Sequence, residues 1–366
     1  MHTRLFEPFS LGNIQLSSRV VMAPLTRRRA GNPALAADDM VALYYQQRAS
    51  AGLIISEGSQ ISPQAYGYTG SPGCYTRAQM DGWKKVTETV HRAGGKIFMQ
   101  LWHVGPFSHA SLQPGNKAPV SASPVIPEGE VLTPEGRRVP YEPSRGMTND
   151  EIMQTVKDFA RAAENAIKAG FDGVEVHGAH AYVIDQFIMD GTNNRTDEFG
   201  GSVENRARFL FMILDEILKQ IPSGRVGLRL SPRSVKKGME DSTPEQTYGY
   251  IVNKLNDYNL AYLHISEMMT PEMRLENPAE SIIPYYRKIY NGTLISCGGH
   301  TLESANRMLE NNEADLIAFG KPFISNPDLV ERLRTDAPLT EWDKETFYHG
   351  GPKGYIDYPE LQYSGT

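Results

Sequence analysis

Eight short apolar runs, separated by segments of helical period, constrain this chain more than any other feature. The runs are residues 19–26, 52–61, 96–103, 173–180, 226–232, 260–267, 293–299 and 314–321. Each is short enough for a strand, and the stretches between are long enough for a crossover helix. A strand that reaches its neighbour through a helix runs parallel to it, and such crossovers are right-handed. Eight parallel strands close on themselves, so the expected class is α/β and the expected fold a (β/α)8 TIM barrel. About 250 residues suffice for that barrel, so all 366 are read as a single domain, 1–366, with decorations.

The crossovers carry their own signals. Thr148-Asn149-Asp150-Glu151 is a capping box, hydroxyl and carboxylate each satisfying an orphan backbone N–H. Behind it Ile152, Val156, Phe159, Ala163 and Ile167 form one apolar stripe, and Gly170 stops the helix. Phe209, Ile213, Ile217 and Ile221 repeat every four residues after Ser202. Residues 105–147 break the pattern, holding eight of the 24 prolines with little periodicity. A segment that long is functional or disordered. Following the third strand, it should lie over the C-terminal mouth as a lid, with a hairpin around Glu135-Gly136. Alternation about Gly12-Asn13 predicts another hairpin that plugs the opposite end.

Composition removes whole classes of function. A net charge of −6 with no basic block excludes nucleic acid and anionic membrane as partners. Small molecules remain as partners, in a monomer or homodimer. Two cysteines, Cys74 and Cys297, exclude a disulfide framework and a Cys-rich metal site. The start of the chain lacks a signal-peptide apolar core, and no apolar run is long enough to span a bilayer, so a cytoplasmic address is expected.

In a barrel the C-terminal strand ends surround the active site. Alternation turns Gln100 and Trp102 inward on the third strand, Glu175 and His177 on the fourth, and Gly227 and Arg229 on the fifth. A buried arginine needs a partner, so Arg229 implies a bound anion or, alternatively, a purely structural pairing with Glu175. The densest polar stretch is His177-Gly-Ala-His180-Ala-Tyr182. No further ligand stands at a recognisable spacing and a turn splays its histidines, so no metal is expected. Two imidazoles that hydrogen-bond a carbonyl or nitro oxygen, beside a phenol that gives a proton, make better chemical sense. Gly298-Gly299 and Gly320-Lys321 end the seventh and eighth strands, where many barrels bind phosphate on bare backbone. Cys297 is expected to be a small buried filler.

In this order and spacing the motifs resemble the Old Yellow Enzyme family, over about residues 5–359. They are Met22-Ala-Pro-Leu-Thr-Arg27, Gln100-Leu-Trp-His103, His177-x-x-His180-x-Tyr182 and Asn194-Arg-Thr-Asp-Glu-Phe-Gly-Gly-Ser-Val-Glu-Asn-Arg206. To these add Arg229-Leu-Ser-Pro232, Phe319-Gly-Lys-Pro-Phe323, Asn326-Pro-Asp-Leu329 and Gly354-Tyr-Ile-Asp-Tyr-Pro359. The resemblance implies a non-covalent FMN across the mouth, reduced by NAD(P)H, in an ene-reductase with ping-pong kinetics. By the same resemblance Thr26, Gln100 and Arg229 would meet the flavin ring, with Pro24 and Gly58 beside them. Gly298, Gly299, Gly320 and Lys321 would hold the phosphate. His177 and His180 would clamp the carbonyl of an α,β-unsaturated substrate, and Tyr182 would protonate Cα as hydride reaches Cβ. Tyr68, Trp102 and Tyr355 would shape the pocket.

Two positions depart from the family's pattern. Lys321 stands where arginine is usual and cannot fork onto phosphate. Ala181 stands where glycine is usual, which is strained only if the backbone there has positive φ. No cysteine lies near Thr26, which disfavours the thiol-tuned branch of the family. Nitro-compound or nitrate-ester reduction is the alternative on this scaffold. A flavin-free aldolase or isomerase that binds a sugar phosphate is the alternative outside it, as is a non-catalytic flavin-binding protein.

Overall fold

The structure is a computed structural model that describes residues 3–233, 238–267 and 281–362. Each apolar run contains a barrel strand: β1 (Val20–Met22), β2 (Leu53–Ile55), β3 (Ile97–Trp102) and β4 (Gly173–Gly178). The second half supplies β5 (Val226–Leu230), β6 (Tyr262–Ser266), β7 (Leu294–Cys297) and β8 (Leu316–Phe319). All neighbours pair in parallel, and β8 pairs back onto β1, so the sheet closes. The (β/α)8 expectation holds.

The closing helices start and stop where their side chains dictate. Thr148 and Glu151 make the reciprocal capping box of helix Asn149–Lys168, and Gly170 ends it at φ +93°. Ile152, Val156, Phe159 and Ala163 bury that helix's stripe against the outward residues of β3 and β4, among them Met99, Leu101, Val174 and Val176. Inward residues divide by depth. Val21, Leu53, Ile55, Phe98, Tyr262, Ile295 and Leu316 form an apolar floor. Each such side chain contributes roughly 1.5–3 kcal/mol when fully buried, so a one-residue slip, which would turn the set outward, is strongly disfavoured. Above the floor the inward positions are polar: Gln100, Glu175, His177, Arg229, His264 and Ser266 are all buried.

The two ends differ as expected. Phe9–Leu11 pairs with Ile14–Leu16 across Gly12-Asn13, and Leu11 and Leu16 plug the floor. Residues 105–147 have more regularity than their sequence suggests. Glu130–Leu132 and Arg138–Pro140 form an antiparallel hairpin whose turn holds Gly136 at φ +78°. Val120–Ser121 pairs in parallel with Arg145–Gly146 and closes the insertion's base. Among the described residues no helix is long and apolar enough to cross a membrane.

Candidate active site

Register assembles the polar layer. Glu175 lies opposite Gln100, and His177, Arg229 and His264 lie side by side on β4, β5 and β6. Gly227, one layer below Arg229, leaves room for the Tyr262 ring, which an added Cβ would meet at 2.3 Å. The Glu175 carboxylate accepts from Gln100 Nε2 at 2.8 Å and stands 2.8 Å from His264 Nδ1. Burial alone would raise its pKa, but His264, Arg229 and Gln100 more than offset this and hold it below its ordinary value. Glu175 is therefore paired with His264, and the proposed Glu175–Arg229 ion pair is not the one that forms. Residue type alone did not reveal His264, although the same alternation on β6 would have turned it inward.

Arg229 is left with weaker partners. Its Nη2 donates to Ser266 Oγ at 3.3 Å and lies 3.6 Å from Cys297 Sγ, while its buried Nε has no partner. The residue is 6 % exposed, and among the described residues no carboxylate lies within ion-pair reach of it. A guanidinium so placed requires an acceptor from outside the protein.

The turn after β4 is strained and held from several sides. His180 and Ala181 both adopt left-handed backbone, at φ +62° and +61°. Such conformations cost of order 1–3 kcal/mol each and persist only where the surroundings over-determine them. Here the His180 N–H donates to Ser231 Oγ at 2.7 Å, the Ala181 N–H to Asp185 Oδ2 at 2.8 Å, and Gln186 Nε2 to the Ala181 carbonyl at 2.8 Å. The bend packs His177, His180 and Tyr182 together, with ring centres 5.4 Å apart for the histidines and 5.0 Å for His177 and Tyr182. His177 Nδ1 accepts from the Ala179 N–H, so a neutral ring carries its proton on Nε2. His180 Nε2 stands 3.0 Å from Ser266 Oγ, so Ser266 joins it to Arg229.

Above this layer lies a cleft of about 420 Å³. Pro24, Thr26, Tyr68, Trp102, Tyr182 and Lys321 line it, and the insertion adds Val131, Arg138 and Tyr141. The Tyr182 and Tyr68 hydroxyls stand 3.3 Å apart, and burial raises the Tyr182 phenol above its ordinary value. Trp102 stacks on Tyr68 at 5.2 Å. Gly58 has a steric reason of its own, since an added Cβ would meet the Trp102 ring at 2.5 Å. Gln100 and Arg229, 3 % and 6 % exposed, form the layer beneath. Gly299 is exposed at φ +71°, beyond β7. Gly320 follows β8, and an added Cβ there would meet only Leu25, at 3.7 Å. Gly298 is half-buried and Lys321 exposed.

Tyr355 does not line this cleft. It is fully buried and stacks on Tyr44 at 4.1 Å, with the Arg27 and Arg29 guanidiniums about its ring. The aromatic wall comes instead from Phe347 and Tyr348 of the same segment. No periodicity marked them, because the segment is held by arginine–carbonyl bonds rather than by an element. Glu57 was missed likewise. Its carboxylate accepts from the Arg27 and Arg28 N–H groups and thereby supports the loop that carries Thr26. Burial pushes it up to about 7 despite these bonds.

Comparison with known proteins places this architecture. The NADH:flavin oxidoreductase / NADH oxidase family matches residues 4–340. 12-oxophytodienoate reductase 1 from Oryza sativa subsp. japonica is 43% identical, over 98% of this chain and 93% of its own. A morphinone reductase variant solved with tetrahydroNAD superposes with a TM-score of 0.92 at 44% identity, covering 99% of both chains. The old yellow enzyme homologue from Zymomonas mobilis does so with 0.92 at 40%, over 98% of this chain and 99% of its own. The chain therefore belongs to the NADH:flavin oxidoreductase family, the Old Yellow Enzyme family to which its motifs pointed. It is an FMN-dependent NAD(P)H oxidoreductase, which removes the flavin-free aldolase or isomerase reading.

Proposed function

We propose that this protein reduces the C=C bond of α,β-unsaturated carbonyl compounds with NAD(P)H. The observation that carries the reading is the half-buried Tyr182 phenol, in ring contact with His177 at the cleft. Relatives named 12-oxophytodienoate reductase and morphinone reductase support it. The residues present fit FMN, because the orphaned Arg229 Nε requires an acceptor at the mouth. Arg229 and Gln100 would meet the ring edge from below, and Thr26 and Pro24 from the cleft wall. The backbone of Gly298, Gly299 and Gly320 and the charge of Lys321 would take the phosphate. FMN, when bound, supplies the hydride chemistry.

The chain's own groups do the rest. His177 Nε2–H donates to the substrate oxygen and draws electron density onto it, which leaves Cβ electrophilic. His180, anchored on Ser266, contributes its other ring nitrogen to the same oxygen. Tyr182 remains protonated because burial disfavours its phenolate, and it delivers its proton to Cα. Tyr68 holds the Tyr182 hydroxyl in place. Trp102, Tyr141, Phe347 and Tyr348 exclude water from the cleft. A nitro oxygen would accept from the same two histidines.

The test separates the two half-reactions. Tyr182→Phe is expected to slow enone reduction by about 10²–10⁴-fold, the usual contribution of a positioned acid. Anaerobic bleaching of the bound flavin by NADPH should be preserved. Stopped-flow absorbance measures both, and an unaffected enone half-reaction would remove Tyr182 from the role.

A further inference from the structure

We infer that the Cys297 sulfur is a charge partner of Arg229 and, through it, sets how strongly reduced FMN is stabilised. The inference rests on the reading above that Arg229 meets bound FMN. Cys297 ends β7 with its Sγ 3.6 Å from Arg229 Nη2, and it faces the barrel interior with the floor residues beneath it. Among the described residues the guanidinium has Ser266 Oγ as its other side-chain partner, and its Nε has none. Glu175, the carboxylate of this layer, engages Gln100 and His264 with its two oxygens.

The groups around the sulfur come from three strands. β5 contributes Arg229, β6 contributes His264 and Ser266, and β8 contributes only Ala318 opposite. Glu175 stands behind His264. Burial by itself would raise the Cys297 thiol, but His264 and Arg229 outweigh it and hold the thiol below 9.0. Cys74, fully buried and with only Arg161 acting against burial, is pushed upward. The two cysteines of one chain thus behave oppositely for a local electrostatic reason. Ionised, Cys297 cancels part of the Arg229 charge and weakens stabilisation of the more negative, reduced FMN. Protonated, it leaves that charge intact. Cys297 acts through Arg229 and is a positioning residue, not a catalytic one.

The experiment uses the full-length, FMN-loaded protein. Midpoint potentials are measured by dye equilibration for the wild type, Cys297→Ser and Cys297→Ala, from pH about 6 to above 9.0. At the upper end both variants are expected to shift the oxidised-to-reduced equilibrium tenfold toward reduction, about 30 mV for a two-electron couple. The difference should vanish toward the lower end, where the thiol is protonated. In parallel, iodoacetamide labelling of Cys297 should rise with a midpoint below 9.0, while Cys74 stays unlabelled. Equal potentials throughout, in proteins that bind and reduce FMN normally, would overturn the inference alone. A protein that takes up no FMN would overturn both it and the reading beneath it.

Discussion

The residue that most needs explaining is Ala181. An L-residue in left-handed backbone carries a penalty that glycine escapes, about 1–2 kcal/mol, and Ala181 at φ +61° carries it next to His180 at φ +62°. The methyl is fully buried against the Trp102, Phe107, Met189 and Met239 cluster, which partly offsets the strain. Glycine also loosens the unfolded chain, at about 0.4–1 kcal/mol. Ala181→Gly is therefore expected to stabilise the protein by up to about 1 kcal/mol, the difference between these effects. Denaturant melts check it, and a loss larger than that would mean methyl packing dominates. Cys297 shows the opposite situation, where residue type misleads. A lone cysteine in an apolar run reads as filler, and only the arrival of Arg229 and His264 from neighbouring strands gives it a charge partner.

Among the elements, the least regular one builds much of the cleft. The segment after residue 343 contributes Phe347 and Tyr348, yet among its described residues there is no helix or strand to hold it apart from a short 3-10 turn. Arg29 substitutes for one: its Nη1 donates to the Phe347 carbonyl at 2.8 Å and its Nη2 to the Thr346 carbonyl at 2.7 Å. Arg27 donates to Phe347 and Gly354 beside it. Arg29→Gln would strand buried carbonyls, at about 1–3 kcal/mol for each that water does not reach. The expected outcome is a several-fold rise in KM for the enone, with the rate of flavin reduction by NADPH little changed. Steady-state and stopped-flow kinetics separate the two, and an unchanged KM would show that this clamp does not shape the pocket. The capping boxes, stripes and hairpin turns were legible beforehand, because each depends on residues close in sequence. The arginine clamp was not, because its donors and acceptors lie more than 300 residues apart.

For the whole barrel, the decisive division is between apolar floor and polar ceiling. Gln100, Glu175 and His264 tie β3, β4 and β6 across the interior, with the carboxylate as the shared acceptor. Because the folded state holds the Glu175 pKa below its ordinary 4.5, its contribution is present above that value and is lost as pH falls through the folded pKa. Glu175→Gln is expected to melt several degrees lower at neutral pH, and the gap should close as pH drops below 4.5. Calorimetry across that range checks it, and a gap independent of pH would assign the effect to packing. Sequence by itself determined the barrel, its helices, its plugged floor and the inward set that includes Gln100, His177 and Arg229. Alternation, periodicity and capping are local, and eight parallel strands have few ways to close. Only the tertiary structure decided the pairings: Glu175 with His264, Arg229 with Ser266 and Cys297, and Phe347 rather than Tyr355 at the cleft. Those choices depend on shear and register between strands distant in the chain, and on which buried charge finds which partner.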